Sequence, residues 1–330
     1  MQENGIEVGV TVGKFNPPHL GHLSLIESGA ARVDHLYVLV ADRFGETIPA
    51  VDRARWLTEA GPGNVTVLTT PDDLPHANEP WAQRALELLP EPPAIAFTSE
   101  PWGPEWAALM GARHMAIDPG RDRLPISATQ IRRDLRGGFH WLIPPARAGL
   151  ARRVVLAGAE STGKSTLAAA LAERFQTTFV PEYGRWYWEG RRFLRDQTWR
   201  SEEFHRIARG HHAIADDLAR TAAGGLLVLD TDALVTAVWH RRYLGCDDSD
   251  LLRTCAEHRP HHYLICSPDF EWVQDGSRES SRQRQAMHEW TVELVEASGV
   301  PYTVLRGAPD ERLERAADLV NRLTAFEPLT

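Results

Sequence analysis

Lysine is almost missing from this chain. Of its 36 basic residues only Lys14 and Lys164 are lysine; the rest are arginine. Cysteine is scarce too. Cys246, Cys255 and Cys266 are odd in number and lack CxxC spacing, which excludes a disulfide framework and a structural zinc site. No uninterrupted apolar run approaches the ~18 residues of a membrane span. No basic stretch precedes the first apolar segment, so no secretory leader is expected. An excess of positive charge is also absent: 45 acidic residues outnumber the basic ones, for a net charge of −9, and both halves of the chain are acidic. That balance argues against nucleic acid as a main partner. The expectation is a cytoplasmic protein with neither membrane nor nucleic-acid partner.

What is present is ordinary globular composition, 43% hydrophobic and 25% charged over 330 residues. At roughly 150 residues per domain this length suggests two domains. Strand-like apolar runs alternate with helical patterns twice. In the first half strands are expected at 6–12, 35–41, 65–69, 94–98 and 113–117; in the second at 153–157, 179–180, 226–229, 262–266 and 302–305. Helical patterns follow most of them. Such alternation predicts an α/β fold with two parallel-sheet, three-layer domains. The stretch GGFHWLIPPARAGLARR, with Gly137-Gly138 and Pro144-Pro145 as breakers, places the boundary near residue 148, giving domains 1–147 and 148–330.

Each surviving lysine lies in a glycine-containing loop between a strand and a helix. The first loop is GKFNPPHLGH, Gly13 to His22. Its prolines force an extended turn, and Gly21 lets the chain pass tightly into the helix. His19 and His22 are three apart and share a face near the positive helix end. With Lys14 they suit a triphosphate attacked at its α-phosphorus, where fixed donors meet the developing charge. Further along, Ser127 and Gln130 form a capping-box pattern, with Arg132 one turn on to meet the departing phosphates.

The second loop, Gly158 to Ser165, fits GxxxxGK followed by Ser, between an apolar strand and an Ala/Leu-rich helix. Backbone amides cradle the phosphates in such a loop, Lys164 reaches the β- and γ-oxygens, and Ser165 faces Mg²⁺. The expected ATP contacts include Gly158, Glu160, Ser161, Thr162, Gly163 and Thr166. Asp230, ending an apolar strand, is the expected Mg²⁺ carboxylate, with Asp232 turned to substrate. Glu182 and Arg185 follow the second strand of this half, where a carboxylate accepts a hydroxyl proton and a guanidinium meets phosphate. The segment DFEWVQDGSRESSRQRQ reads as a lid carrying Arg278 and Arg282, with Trp272 and Asp275 toward a nucleoside.

The first loop resembles the nucleotidylyltransferase signature, and ISATQIR resembles that superfamily's second element. Taken in order with FTSE, the Walker loop, EYGR, DTD and WVQDG, these motifs resemble the NadR-type family, a nicotinamide-mononucleotide (NMN) adenylyltransferase fused to a ribosylnicotinamide kinase. The resemblance covers nearly the whole chain. It implies a Rossmann-like nucleotidylyltransferase followed by a P-loop kinase, acting on nicotinamide riboside, NMN and ATP with Mg²⁺. It also implies that Gly13, Phe15, Gly21, Ser127 and Thr129 contact ATP, and it suggests Trp81 for stacking on nicotinamide, a core role at the helix start being the other option. Some members carry an N-terminal helix-turn-helix; here the first strand begins within about six residues of Met1, so no operator binding is expected. Three rivals stay open: a fusion acting on another small metabolite, a nucleic-acid end-healing kinase suggested by the arginine-rich 185–209 stretch, and a nucleotide sensor with vestigial catalysis. A homo-oligomer also stays open.

Overall fold

The structure, a computed structural model, describes residues 7–269 and 281–330. The chain divides into two compact units, Met1–Arg147 joined by Phe326–Thr330, and Ala148–Ala325.

The first unit runs β1 (Val8–Gly13), α1 (Leu20–Ala30), β2 (His35–Asp42), α2 (Ala50–Ala60), β3 (Val65–Pro71), α3 (Asn78–Leu88), β4 (Ile95–Thr98), α4 (Gly103–Leu109) and β5 (Arg113–Ala116). Its five strands are all parallel, in the order β3-β2-β1-β4-β5. β1 and β4 are buried along most or all of their length, which is why they read as unbroken apolar runs rather than alternating ones. One core cluster packs Val8, Val10, Leu39 and Ala96 against Ala82, Ala85 and Trp106. The winding reverses between β1 and β4, so the loops leaving those two strands part and open a crevice at their C-terminal ends.

The Gly- and Pro-rich stretch near the boundary is mostly helical rather than broken. After α5 (Ala128–Arg133) come α6 (Leu135–Gly138), a 3-10 turn (Phe139–Trp141) and α7 (Pro144–Leu150). Proline costs nothing at a helix start, where its missing N–H has no partner to lose.

The second unit runs β6 (Arg152–Ala157), α8 (Lys164–Phe175), β7 (Phe179–Val180), α9 (Tyr183–Arg191), α10 (Ser201–Ala219), β8 (Leu226–Asp230), α11 (Ala233–Leu244), α12 (Ser249–Glu257), β9 (His262–Cys266), α13 (Ser281–Ser298), β10 (Tyr302–Leu305) and α14 (Pro309–Leu323). The order is β10-β9-β6-β8-β7, again all parallel. β6 sits centrally, and its core cluster joins Val154 and Leu156 to Leu167, Leu171 and Val320. Two helices, α9 and α12, escape the periodicity reading. α12 is fixed by a local cap instead, with the Asp248 carboxylate accepting the N–H groups of Asp250 and Leu251. Among the described residues no helix is long and apolar enough to cross a membrane.

Candidate active sites

In the first unit the loop after β1 lines a cavity of about 260 Å³, together with residues 98–100 after β4 and residues 126–129 leading into α5. His19 caps α1: its Nδ1 accepts the Gly21 N–H at 3.1 Å, and the Nδ1 of His22 accepts the His19 N–H at 3.4 Å. A nitrogen that accepts carries no proton, so in each neutral ring the proton sits on Nε2. Burial, then the charge of Arg121, pushes His19 down to about 4. Burial, with His19 and Arg121 adding to it, holds His22 well below the ordinary histidine range. Near neutral pH the cavity is therefore lined by two uncharged imidazoles, each with an Nε2–H left to donate.

The capping box foreseen at Ser127 is formed, with Gln130 Oε1 taking the Ser127 N–H at 2.9 Å and Ser127 Oγ taking the Gln130 N–H at 3.3 Å. Arg132 donates to the Asn16 carbonyl at 2.7 Å and to Thr129 Oγ1 at 3.1 Å, so it joins the two motifs. Segment Phe326–Thr330 adds to this join: the Leu329 N–H reaches the Arg132 carbonyl at 3.0 Å, and Asn16 Nδ2 reaches the Thr330 carbonyl at 3.0 Å. Lys14 lines the cavity, but its ammonium lies 3.1 Å from both Glu46 and Asp72, two nearly buried carboxylates. Arg53, fully buried, holds Glu46 at 2.5 Å and also donates to the Lys14 carbonyl. The lysine expected on phosphate is thus also the tie between three loops.

Trp81 does not line this cavity; it packs against the core cluster beneath the sheet. The tryptophan that does line it is Trp102. Trp102 stands where α4 begins, and Gly103 beside it admits no side chain: a Cβ there would lie 2.0 Å from Thr98 Oγ1.

In the second unit the loop after β6 delivers the Walker residues to the start of α8. Gly158 has φ +128°, and a Cβ on it would meet the Cys266 carbonyl at 2.6 Å, so only glycine lets this loop cross β9. Lys164 Nζ and the buried Thr162 hydroxyl both donate to the Ala159 carbonyl, at 2.8 and 2.9 Å. Ser165 and Thr166 are exposed at the helix start. Asp230 ends β8, 2% exposed, and its Oδ1 has no hydrogen-bond partner among the described residues. Glu182, just before α9, lies within the fields of Lys164, Asp230 and Arg185. Its pKa is raised: burial dominates and Asp230 adds to it, against the opposing pull of Lys164 and Arg185. Arg185 is largely exposed, 3.9 Å from Glu182.

Asp232, expected on substrate, spends both oxygens inside the protein. One accepts the Val235 N–H at 3.0 Å to cap α11, the other the Tyr263 hydroxyl at 2.5 Å. Both contacts shape the turn after β8. Arg282 is exposed near the start of α13. Trp272, Asp275 and Arg278 lie outside the described residues.

The comparisons with known proteins follow the same division. The cytidylyltransferase-like family matches residues 10–134 and the AAA domain matches residues 153–312. The trifunctional NAD biosynthesis/regulator protein NadR of Salmonella typhimurium is 28% identical, over 96% of this chain and 83% of its own length. Its Escherichia coli counterpart is 27% identical over the same shares. A crystal structure of NadR in complex with NR has a TM-score of 0.72 at 25% identity, covering 98% of this chain and 97% of that one. Along nearly its whole length the chain is similar to NadR proteins. A further NadR structure, with NAD and AMP-PNP, shares the fold at a TM-score of 0.70 and 24% identity.

The site residues that sequence reasoning passed over fall into two groups. Trp102, Arg121 and Thr11 line the first cavity without belonging to a phosphate motif. Thr11 is 1% exposed and its hydroxyl has no hydrogen-bond partner among the described residues. Arg53, Arg284 and Arg312 are buried arginines that hold loops from behind. The first group was open to inspection, since PWG directly follows FTSE. The second left no local trace.

Proposed function

We propose that this chain makes NAD from nicotinamide riboside in two ATP-dependent steps, as a cytoplasmic enzyme, and that each step belongs to one unit. In the second unit the riboside 5′-hydroxyl oxygen attacks the γ-phosphorus of ATP, its proton passes to Glu182, and ADP leaves, yielding NMN. In the first unit a 5′-phosphate oxygen of NMN attacks the α-phosphorus of a second ATP, and pyrophosphate leaves, yielding NAD. The carrying observation is the stacked His19–His22 pair, whose Nδ1 atoms are both taken by backbone N–H groups.

Charge builds on the phosphate oxygens during attack at the α-phosphorus, and donors fixed beforehand stabilise it without reorganising. Neutral Nε2–H groups serve this purpose and need not be regenerated, because no proton is transferred to or from the reacting phosphates. Arg132 at α5 supports the departing pyrophosphate and keeps the motif loop in register with it. Trp102, on the cavity wall, is the side chain suited to stacking on the nicotinamide ring. Lys14 holds the loop by its carboxylate partners.

In the kinase half, the raised pKa of Glu182 suits a group that must take up a proton, and Lys164 suits the β- and γ-oxygens. The donor set fits Mg²⁺: Asp230 has a buried oxygen without a partner, and Ser165 is exposed at the helix start. When bound, the ion neutralises phosphate charge. Supplying pure protein with nicotinamide riboside and ATP should give NAD, ADP and pyrophosphate in equal amounts. No dinucleotide from either nicotinamide riboside or NMN sinks the reading.

A further inference from the structure

Arg312 is an unusual group to find inside a domain. It is 2% exposed, on the first turn of α14, and no motif reading reaches it. Its guanidinium is shared among three separate loops at one end of the sheet. Nη1 donates to the Thr162 carbonyl of the P-loop at 2.9 Å. Nη2 donates to the Ser267 carbonyl, after β9, at 3.0 Å and to the Asp269 carboxylate. Nε donates to the Gly307 carbonyl, after β10, at 3.0 Å. The other Asp269 oxygen accepts the Gly307 N–H at 2.9 Å, closing a ring between the second and third loops. Arg284 of α13, also buried, makes a parallel contact on the neighbouring P-loop carbonyl, Ser161, at 3.0 Å.

Burying a cation is costly unless its donors are met, and here they are met by carbonyls and one carboxylate from loops remote in sequence. If docking α14 were the whole purpose, apolar side chains such as its Ala316, Ala317 and Val320 would suffice. A planar fork with five N–H groups spans several acceptors at fixed angles, which a lysine ammonium cannot do. Each P-loop carbonyl held from behind turns its peptide plane and so aims the neighbouring amides toward the phosphate side. The buried charge behind the loop also favours an anion in front of it.

We propose that Arg312 is a positioning residue for ATP: it holds the P-loop, through Thr162, in register with the loops after β9 and β10. This rests on the P-loop unit being the ATP-dependent kinase proposed above, and it adds a specificity for the phosphate donor, not the acceptor.

The test uses the whole chain, with Asp269→Asn to loosen one corner of the fork and Arg312→Lys to keep the charge without the fork. Kinase KM values for ATP and for nicotinamide riboside, adenylyltransferase activity, and calorimetric titration with AMP-PNP are read together. The AMP-PNP site in question is the one that Lys164→Ala removes. Asp269→Asn should raise the KM for ATP about 3- to 10-fold and Arg312→Lys about 10-fold or more, as expected for weakening and loss of charged hydrogen bonds. AMP-PNP affinity should fall in parallel, while the riboside KM and the adenylyltransferase stay within about 2-fold. A merely structural role lowers kcat in proportion to the unfolded fraction and leaves both KM values unchanged. That outcome, or wild-type ATP and AMP-PNP affinity in both variants, overturns the proposal. If the unaltered chain phosphorylates no riboside, the functional reading fails, and AMP-PNP titration still decides the role of Arg312.

Discussion

His19 and His22 lie face to face, their ring centroids 3.6 Å apart at an interplanar angle of 25°, with Phe15 in a T-shaped contact with His22. Two imidazolium rings at that separation would repel strongly, and the fold meets this by burying His19, partly burying His22 and giving each Nδ1 a backbone N–H. The pair is therefore a fixed neutral donor set. Its properties make the first prediction.

Histidine ring signals followed by NMR in the unliganded protein should show His19 uncharged down to about pH 4, with no transition near 6.5. The unfolded chain takes up its histidine protons near ~6.5, so between about 4 and 6.5 the unfolded state binds more protons than the folded one. Stability then falls as pH drops through that window. His211 and His261, each pushed down to about 4 chiefly by burial, add to the effect in the second unit. Thermal melts should shift downward between pH 7 and pH 4.5; a flat melting temperature contradicts the neutral-histidine reading.

The two chemistries should separate cleanly by substitution. His22→Ala removes a donor that acts in the transition state and should cut NAD formation from NMN about 100- to 1,000-fold. Lys164→Ala should cut riboside phosphorylation by a similar order. Each variant should keep the other activity, measured by chromatography of products from the separate substrates.

Glu182→Gln keeps the shape of the side chain but cannot take a proton. It should lower kinase kcat by about 10²- to 10⁴-fold. In the unaltered enzyme the acid limb of the kinase pH profile should lie above the usual carboxylate range, because burial raises the Glu182 pKa. Adenylyltransferase activity is the internal control. A kcat unchanged in the variant removes Glu182 from the proton path.

Two tryptophans separate a substrate contact from a packing contact. Trp102→Ala should raise the KM for NMN with little loss of melting temperature, since the residue is 37% exposed on the cavity wall. Trp81→Ala should do the reverse, destabilising the first unit by roughly 1–3 kcal/mol through lost core packing and leaving the KM alone. Denaturant melts and initial rates on both variants decide it.

The phosphate loops were legible because their chemistry is local. A glycine at positive φ, a lysine and a hydroxyl within eight residues specify the P-loop, and Ser127 with Gln130 specifies its cap, whatever the rest of the chain does. Helix α11 was likewise legible from Ala233 to Leu244. Asp232 shows where that logic stops. Its place at the N-terminus of α11 is written in the sequence, but the hydroxyl that takes its second oxygen comes from Tyr263, 31 residues on. Trp81 and Trp102 are equally plausible as letters; only the path of α3 over the sheet turns one inward and leaves the other at the cavity.

The order of apolar runs and breakers was enough to dictate two parallel sheets with a glycine-containing loop after the first strand of each, since strand period and glycine geometry act within a few residues. Which side chains brace those loops depended on three-dimensional packing. Arg312 meets Thr162 across 150 positions, and Asn16 meets Thr330 across 314. A hydrogen bond spans about 3 Å of space whatever the length of chain between its ends, so contacts of this kind leave no spacing to read.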